Sequence, residues 1–317
     1  MHPTQRAANL TAVPLLPENN LKNKAAFKYI AALLLFGTNG IVAGQIALSS
    51  YEIVFTRTLI GAIFLVGLFV LSKQTRRFGK NKRQTLYLLI SGAAMGASWV
   101  FLFEAYKLTG VSTATLAYYC GPVIVLILSP LLFKEKLTAV KVTGFLAVML
   151  GMFGVNAQAL LQGQVSWGLV FGILSAGMYA VMVIFNKQAT SITGLENPMW
   201  QLMASFITVA VFLGFKQGFA ITLPPDSVIP ILVLGIINTG AGCYLYFSSI
   251  GDLPAQTVAM LGYLEPLSAL FFSAAILQES LGFWQLAGAA LILGGAAFGE
   301  LYHQRRALNL PDKSLAG

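Results

Sequence analysis

Charge is what this sequence has least of: Lys, Arg, Asp and Glu together make up 10% of its 317 residues, where water-soluble domains carry about 25%. So little charge excludes a chain whose whole surface meets water. Histidine and cysteine are scarce too. His2 and His303 stand near the two ends, outside any apolar run, whereas Cys120 and Cys243 each fall inside one. There a small packed hydrophobe is the natural reading, ahead of a disulfide or a metal site. No GxxxxGK[ST] phosphate loop occurs, so ATP is not hydrolysed by that route. No HExxH, GxSxG or paired-aspartate motif supplies an enzyme's apparatus, and no catalytic residue, metal or cofactor is expected.

Apolar side chain is abundant, at 57% of the residues, and lipid must therefore serve as solvent. A helix needs roughly 20 apolar residues to cross the hydrocarbon layer. The sequence divides into ten such runs, near 27–47, 52–72, 85–108, 111–133, 138–158, 165–187, 197–216, 227–250, 254–277 and 281–302. They lack the alternation of a transmembrane barrel strand, so the expected fold is all-α and integral to the membrane. Before the first run, Pro3, Pro14, Pro17, Asn19 and Asn20 mark a polar tail without the apolar core of a cleaved signal. The expected organisation is a tail over 1–24, five helices over 25–160, five more over 161–303, and a second tail over 304–317.

The formal net charge of +9 is arranged as a topology signal and not as a nucleic-acid groove. Alternating the ten runs puts Lys22, Lys24 and Lys28, the loop from Lys73 to Arg83, then Lys134, Lys136, Lys141, Lys187, Arg305 and Arg306 on one face. Only Lys107 and Lys216 fall on the other. Positive loops stay in the cytoplasm, which places both termini inside, in a plasma or bacterial inner membrane. The basic loop after the second run is a topology anchor that also touches anionic lipid.

A shift of 144 positions superposes Tyr119 on Tyr263, Pro122 on Pro266, Glu135 on Glu279, Gly144 on Gly288 and Gly151 on Gly295. The same shift takes Glu52 to Glu196, Gly96 to Gly240 and Phe103 to Phe247. One five-helix unit thus occurs twice. Five is odd, so the second copy enters the membrane from the opposite side, an inverted repeat of the kind that exposes a central site to each face in turn. Three passages sharpen this: YEIVFTRTLIGA with Arg57, VSTATLAYYCGPVIVLILSPLLFKEKLTAVKVTGFLAVMLG, and its echo LPAQTVAMLGYLEPLSALFFSAAILQESLGFWQLAGAALILGG. A small-residue start, a mid-helix proline, a glutamate at the helix end and a glycine-bearing next helix resemble the drug/metabolite transporter superfamily, specifically its ten-helix proteins made of two EamA-type domains. The resemblance runs from about Lys24 to Arg305. It departs at FGTNG, where Phe36 stands in the place of a tryptophan frequent in the family.

The candidate functional residues are the polar and kinked positions at membrane depth. Pro122 and Pro266 remove a backbone hydrogen bond each and bend helices four and nine. Those bends act either as gating hinges or as static kinks. Tyr118, Tyr119 and Tyr263 flank the bends and offer ring and hydroxyl to a substrate. Glu265 is an ionisable group halfway along an apolar helix. The cost of charging a carboxyl in a low dielectric suits reversible protonation in a proton-coupled cycle, and the rival reading is a hydrogen bond to a neighbouring helix that never titrates. Arg57 and Glu104 lie near the outer ends of helices two and three, so a structural ion pair is expected, with an anion-binding Arg57 as the sharper reading. Asn39, Trp99, Tyr179, Asn238 and Tyr246 each face either the cavity or another helix. The GxxxG spacings at Gly40, Gly92, Gly168 and Gly295 read as close helix packing.

The resemblance implies a secondary transporter of small organic metabolites, an amino-acid or metabolite exporter working by alternating access as a monomer or homodimer. Import or exchange by the same fold is one alternative, and a lipid flippase or a subunit of a membrane complex is another.

Overall fold

A computed structural model describes residues 18–109, 111–155, 167–278 and 282–308. Among the described residues it is wholly helical. Within those residues seven helices are long and apolar enough to cross a membrane, and three shorter apolar helices accompany them. Together they give ten spans in chain order. The first five are α1 (Glu18–Gly37, continuing as Asn39–Ala43), α2 (Ser50–Leu71), α3 (Lys82–Thr109), α4 (Val111–Tyr118, then Cys120–Phe133) and α5 (Ala139–Val155). The second five are α6 (Trp167–Gln188), α7 (Glu196–Lys216), α8 (Val228–Leu232, Val233–Ala241 and Gly242–Phe247), α9 (Ala255–Leu261, then Leu264–Leu277) and α10 (Phe283–Leu308).

The first and last helices run past the expected spans. α1 starts at Glu18, ahead of the expected run at 27, and α10 runs on to Leu308 through Arg305 and Arg306. Polar residues end a membrane span without ending a helix, because the backbone ladder needs no apolar side chains. The two prolines act where expected but break the chain more sharply than a bend. The amide that Pro122 lacks would have bonded Tyr118, and the one Pro266 lacks would have bonded Gly262. α4 accordingly divides at Tyr119 and α9 at Gly262 and Tyr263. Both spans also end alike, Lys134 and its repeat mate Gln278 each taking the left-handed conformation at φ 57°.

The two halves meet as a two-fold axis requires. A Cβ on Gly144 of α5 would lie 2.6 Å from the Gly295 carbonyl oxygen of α10, and one on Gly151 would lie 2.5 Å from that of Gly288. Gly288 is the repeat mate of Gly144 and Gly295 that of Gly151, so the contacts cross over. In the middle of the bundle α3 packs on α6 through reciprocal bonds. Ser98 Oγ donates to the Ser175 carbonyl at 2.9 Å and Ser175 Oγ to the Ser98 carbonyl at 2.7 Å. Of the small-residue pairs, Gly92 and Gly96 do form a packing seam, against Gln201 and Ser205 of α7. Gly40 meets nothing; it lines a cavity instead. The seams set a stability prediction. Gly144→Leu overpacks α5 on α10 and should cost about 1–3 kcal/mol, seen as a lower melting temperature in detergent. Gly67→Leu, where nothing lies within 4 Å, should leave it unchanged.

Candidate functional site

The broken helices enclose a cavity of about 650 Å³. Its walls come from the end of α1, the start of α2, the second half of α3, the first part of α4, the middles of α6 and α9, and the end of α8. The mouth therefore lies on the face where α1 passes to α2 and α3 to α4. Lys107 stands at that rim, its ammonium 3.8 Å from the ring centroid of Tyr51.

Nine of the residues that line it are aromatic. Tyr118 meets Tyr119 edge-on at 5.2 Å and Tyr179 at 5.5 Å. The hydroxyls of Tyr179 and Tyr246 lie 3.3 Å apart. Trp99, Phe36 and Phe247 also line the space. Two opposite charges are set into this wall, Arg57 from α2 and Glu265 from the break in α9. Arg57 is 8% exposed, donates from Nε to Thr239 Oγ1 at 2.9 Å, and lies over the Trp99 ring at 4.9 Å. Asn39 adds a carbonyl oxygen that is buried with no partner among the described residues.

Asn39, Arg57, Trp99, Tyr118, Tyr119, Tyr179, Tyr246 and Glu265 are thus brought to one cavity. The other candidates go elsewhere. Asn238 donates to the Leu35 carbonyl at 3.0 Å and to Thr38 Oγ1 at 2.7 Å, where α1 breaks and exposes backbone acceptors. Tyr263 is fully buried and donates to the Tyr119 carbonyl at 2.8 Å, tying the two helix breaks together. Pro122 and Pro266 shape the breaks from behind the wall. The expected pairing of Arg57 with Glu104 does not form: Glu104 lies 3.3 Å from Lys216, the last residue of α7. What sequence reasoning missed is the centre of α8, where Val233–Ala241 is a π-helix. Its trace is the five-residue spacing of Gly235 and Gly240 around Asn238 and Thr239.

Towards the opposite face, polar contacts join the helix ends. Lys187, at the end of α6, donates to the Ile250 carbonyl at 3.0 Å and to that of Leu253, bridging to the turn between α8 and α9. Glu135, just past α4, accepts from the backbone amides of Ala255 at 2.6 Å and Gln256 at 3.0 Å, neutralising the start of α9. Behind them the Gln256 side chain is fully buried, with neither amide atom partnered among the described residues. Glu279, the repeat mate of Glu135, lies outside the described residues.

A model of the EamA-like transporter family matches residues 23–157 and again 166–298. The chain belongs to that family. It is similar to the protein named uncharacterized transporter YxxF of Bacillus subtilis, 27% identical over 289 residues that cover 90% of this chain and 92% of that one. An uncharacterized transporter of Archaeoglobus fulgidus is 26% identical over 273 residues, covering 84% of this chain and 92% of its own. A solved crystal structure superposes with a TM-score of 0.76 at 18% identity, covering 88% of this chain and 98% of that one, which shows the shared fold. This EamA-family chain is a multi-pass membrane transporter built from two repeats.

Proposed function

We propose that this EamA-family transporter is a secondary carrier of small organic metabolites, amino acids foremost, that exports them by alternating access between the halves 25–160 and 161–303. The observation that carries this reading is the cavity itself, which sets Arg57 and Glu265 among aromatic side chains below a mouth that bears Lys107. A zwitterion with an apolar side chain matches that wall, because its carboxylate pairs with Arg57, its ammonium with Glu265, and its side chain with the tyrosines. The basic residues support the orientation: Lys73, Lys134 and Lys187 mark one face, and Lys107 sits at the open mouth on the other. By the positive-inside rule the termini are cytoplasmic, the membrane is the cell membrane, and the cavity opens outward.

In this cycle Glu265 also carries the coupling proton, and breaking the Lys187 and Glu135 contacts opens the cytoplasmic end. The test is uptake and release of radiolabelled amino acids and related metabolites by proteoliposomes, with and without an imposed pH gradient. Accumulation that follows the gradient is expected. Movement that never exceeds equilibration, whatever the gradient, would replace the coupled carrier by a facilitator.

A further inference from the structure

We propose that Thr239 is a positioning residue that presents Arg57 as a fixed fork for a substrate carboxylate, and that the π segment of α8 exists to place it. This deepens the carrier reading above and rests on it. The close approach of α2 and α8 makes the placement possible. A Cβ on Gly61 would lie 3.0 Å from Thr239 Cγ2 and 3.1 Å from the Gly235 carbonyl oxygen, and one on Gly235 would lie 2.6 Å from the Ile60 side chain. Arg57, one turn before Gly61, is thereby laid against the π segment.

Thr239 Oγ1 donates its own proton to the Leu234 carbonyl at 2.7 Å, five residues back, so towards Arg57 the hydroxyl can only accept. It takes Nε. A guanidinium offers two edges for a carboxylate, and with Nε engaged the edge that remains is the Nη1 and Nη2 pair. The guanidinium carbon also lies over the Trp99 ring, 4.9 Å from its centroid, a second contact that holds the group against the wall. No ion pair joins Arg57 to Glu265 among the described residues, although both line the same cavity. The fork is left to a ligand.

The internal repeat shows that structure alone does not require the charge. Gln201 is the repeat mate of Arg57, and it bonds across the corresponding helix pair, α7 to α3, Nε2 to Ser91 Oγ at 2.9 Å, one turn from Met95, the mate of Thr239. A neutral, fully buried amide thus ties one pair of helices together where a guanidinium ties the other. A buried cation kept where an amide serves its repeat mate calls for an anionic partner.

The test compares four amino acids, L-phenylalanine, L-leucine, L-methionine and L-threonine, each against its carboxamide, as competitors and as labelled substrates in proteoliposomes. The proteins are wild type, Thr239→Val, Thr239→Ser and Arg57→Lys. Wild type is expected to prefer acid over amide by about tenfold or more, as one charge-assisted bidentate pair implies. Thr239→Val should bring that preference to within about threefold, Thr239→Ser should keep it, and Arg57→Lys should lose it with Thr239 intact. Restoration by serine separates positioning from folding. A wild type that takes up none of the four acids, or treats acid and amide alike, overturns the carboxylate fork and with it the substrate class. A wild type that discriminates, joined by a Thr239→Val that discriminates equally at a lower rate, overturns the role of Thr239 alone.

Discussion

Proteoliposomes carrying Glu265→Gln are expected to lose gradient-driven accumulation, by about tenfold or more, while still exchanging internal for external substrate. Glutamine keeps the length and hydrogen-bonding shape of the glutamate but can neither lose nor gain the proton. The carboxyl lines the cavity at the break in α9, where the helix has already given up backbone bonds to Pro266. The counter-charge in the same space is Arg57, held to Thr239 and Trp99. In the proposed cycle the proton and the substrate ammonium are alternative partners of that one carboxyl, so each leaves before the other binds. Substrate moving out is thereby tied to a proton moving in. Exchange needs no net proton movement, so it survives the substitution. Accumulation in the variant equal to wild type, measured with the same imposed pH gradient, would leave Glu265 a purely structural residue.

How much of this was legible in the sequence depends on whether a feature is written in spacing or in tertiary contact. The ten spans and the repeat follow from runs of apolar residues and from an offset of 144, both one-dimensional quantities. The helix breaks were visible as prolines, since a missing donor acts four residues upstream whatever surrounds it. Eight of the polar and aromatic candidates do line the cavity, because polar groups at membrane depth have few other places to go. The exceptions were decided by neighbours. Asn238 is consumed by backbone that α1 exposes, and Glu104 by Lys216, which is distant in sequence. The π segment left only a glycine spacing, because its geometry depends on α2 pressing against it. The seal at the closed face was legible as charge at helix ends but not as a seal. Glu135 reads as an interfacial glutamate until the start of α9 is seen against it.

Glu135→Gln is expected to open the closed face. Its two bonds to the start of α9 are charge-assisted, each worth about 1.5–3 kcal/mol, and glutamine retains one acceptor oxygen with no charge to set against the helix dipole. A loss of about 2 kcal/mol shifts a two-state population about thirtyfold. Lys187→Met should act in the same direction, since it leaves the Ile250 and Leu253 carbonyls without their donor and removes the bridge from α6 to the α8–α9 turn. Gln256 makes this measurable. Its side chain is wholly buried and unpartnered among the described residues, so the closed state gains nothing from it and water reaches it only on opening. With Cys120 and Cys243 replaced by serine and alanine, Gln256→Cys should react slowly with a membrane-impermeant thiol reagent supplied at the face bearing the termini. Added Glu135→Gln should speed that reaction about tenfold or more, in step with the population shift, and saturating substrate should change it further as the carrier cycles. A labelling rate indifferent to both substitutions would mean that the Lys187 and Glu135 contacts hold helix ends without closing the path, and that the seal lies deeper, at the Tyr179 and Tyr246 hydroxyl pair.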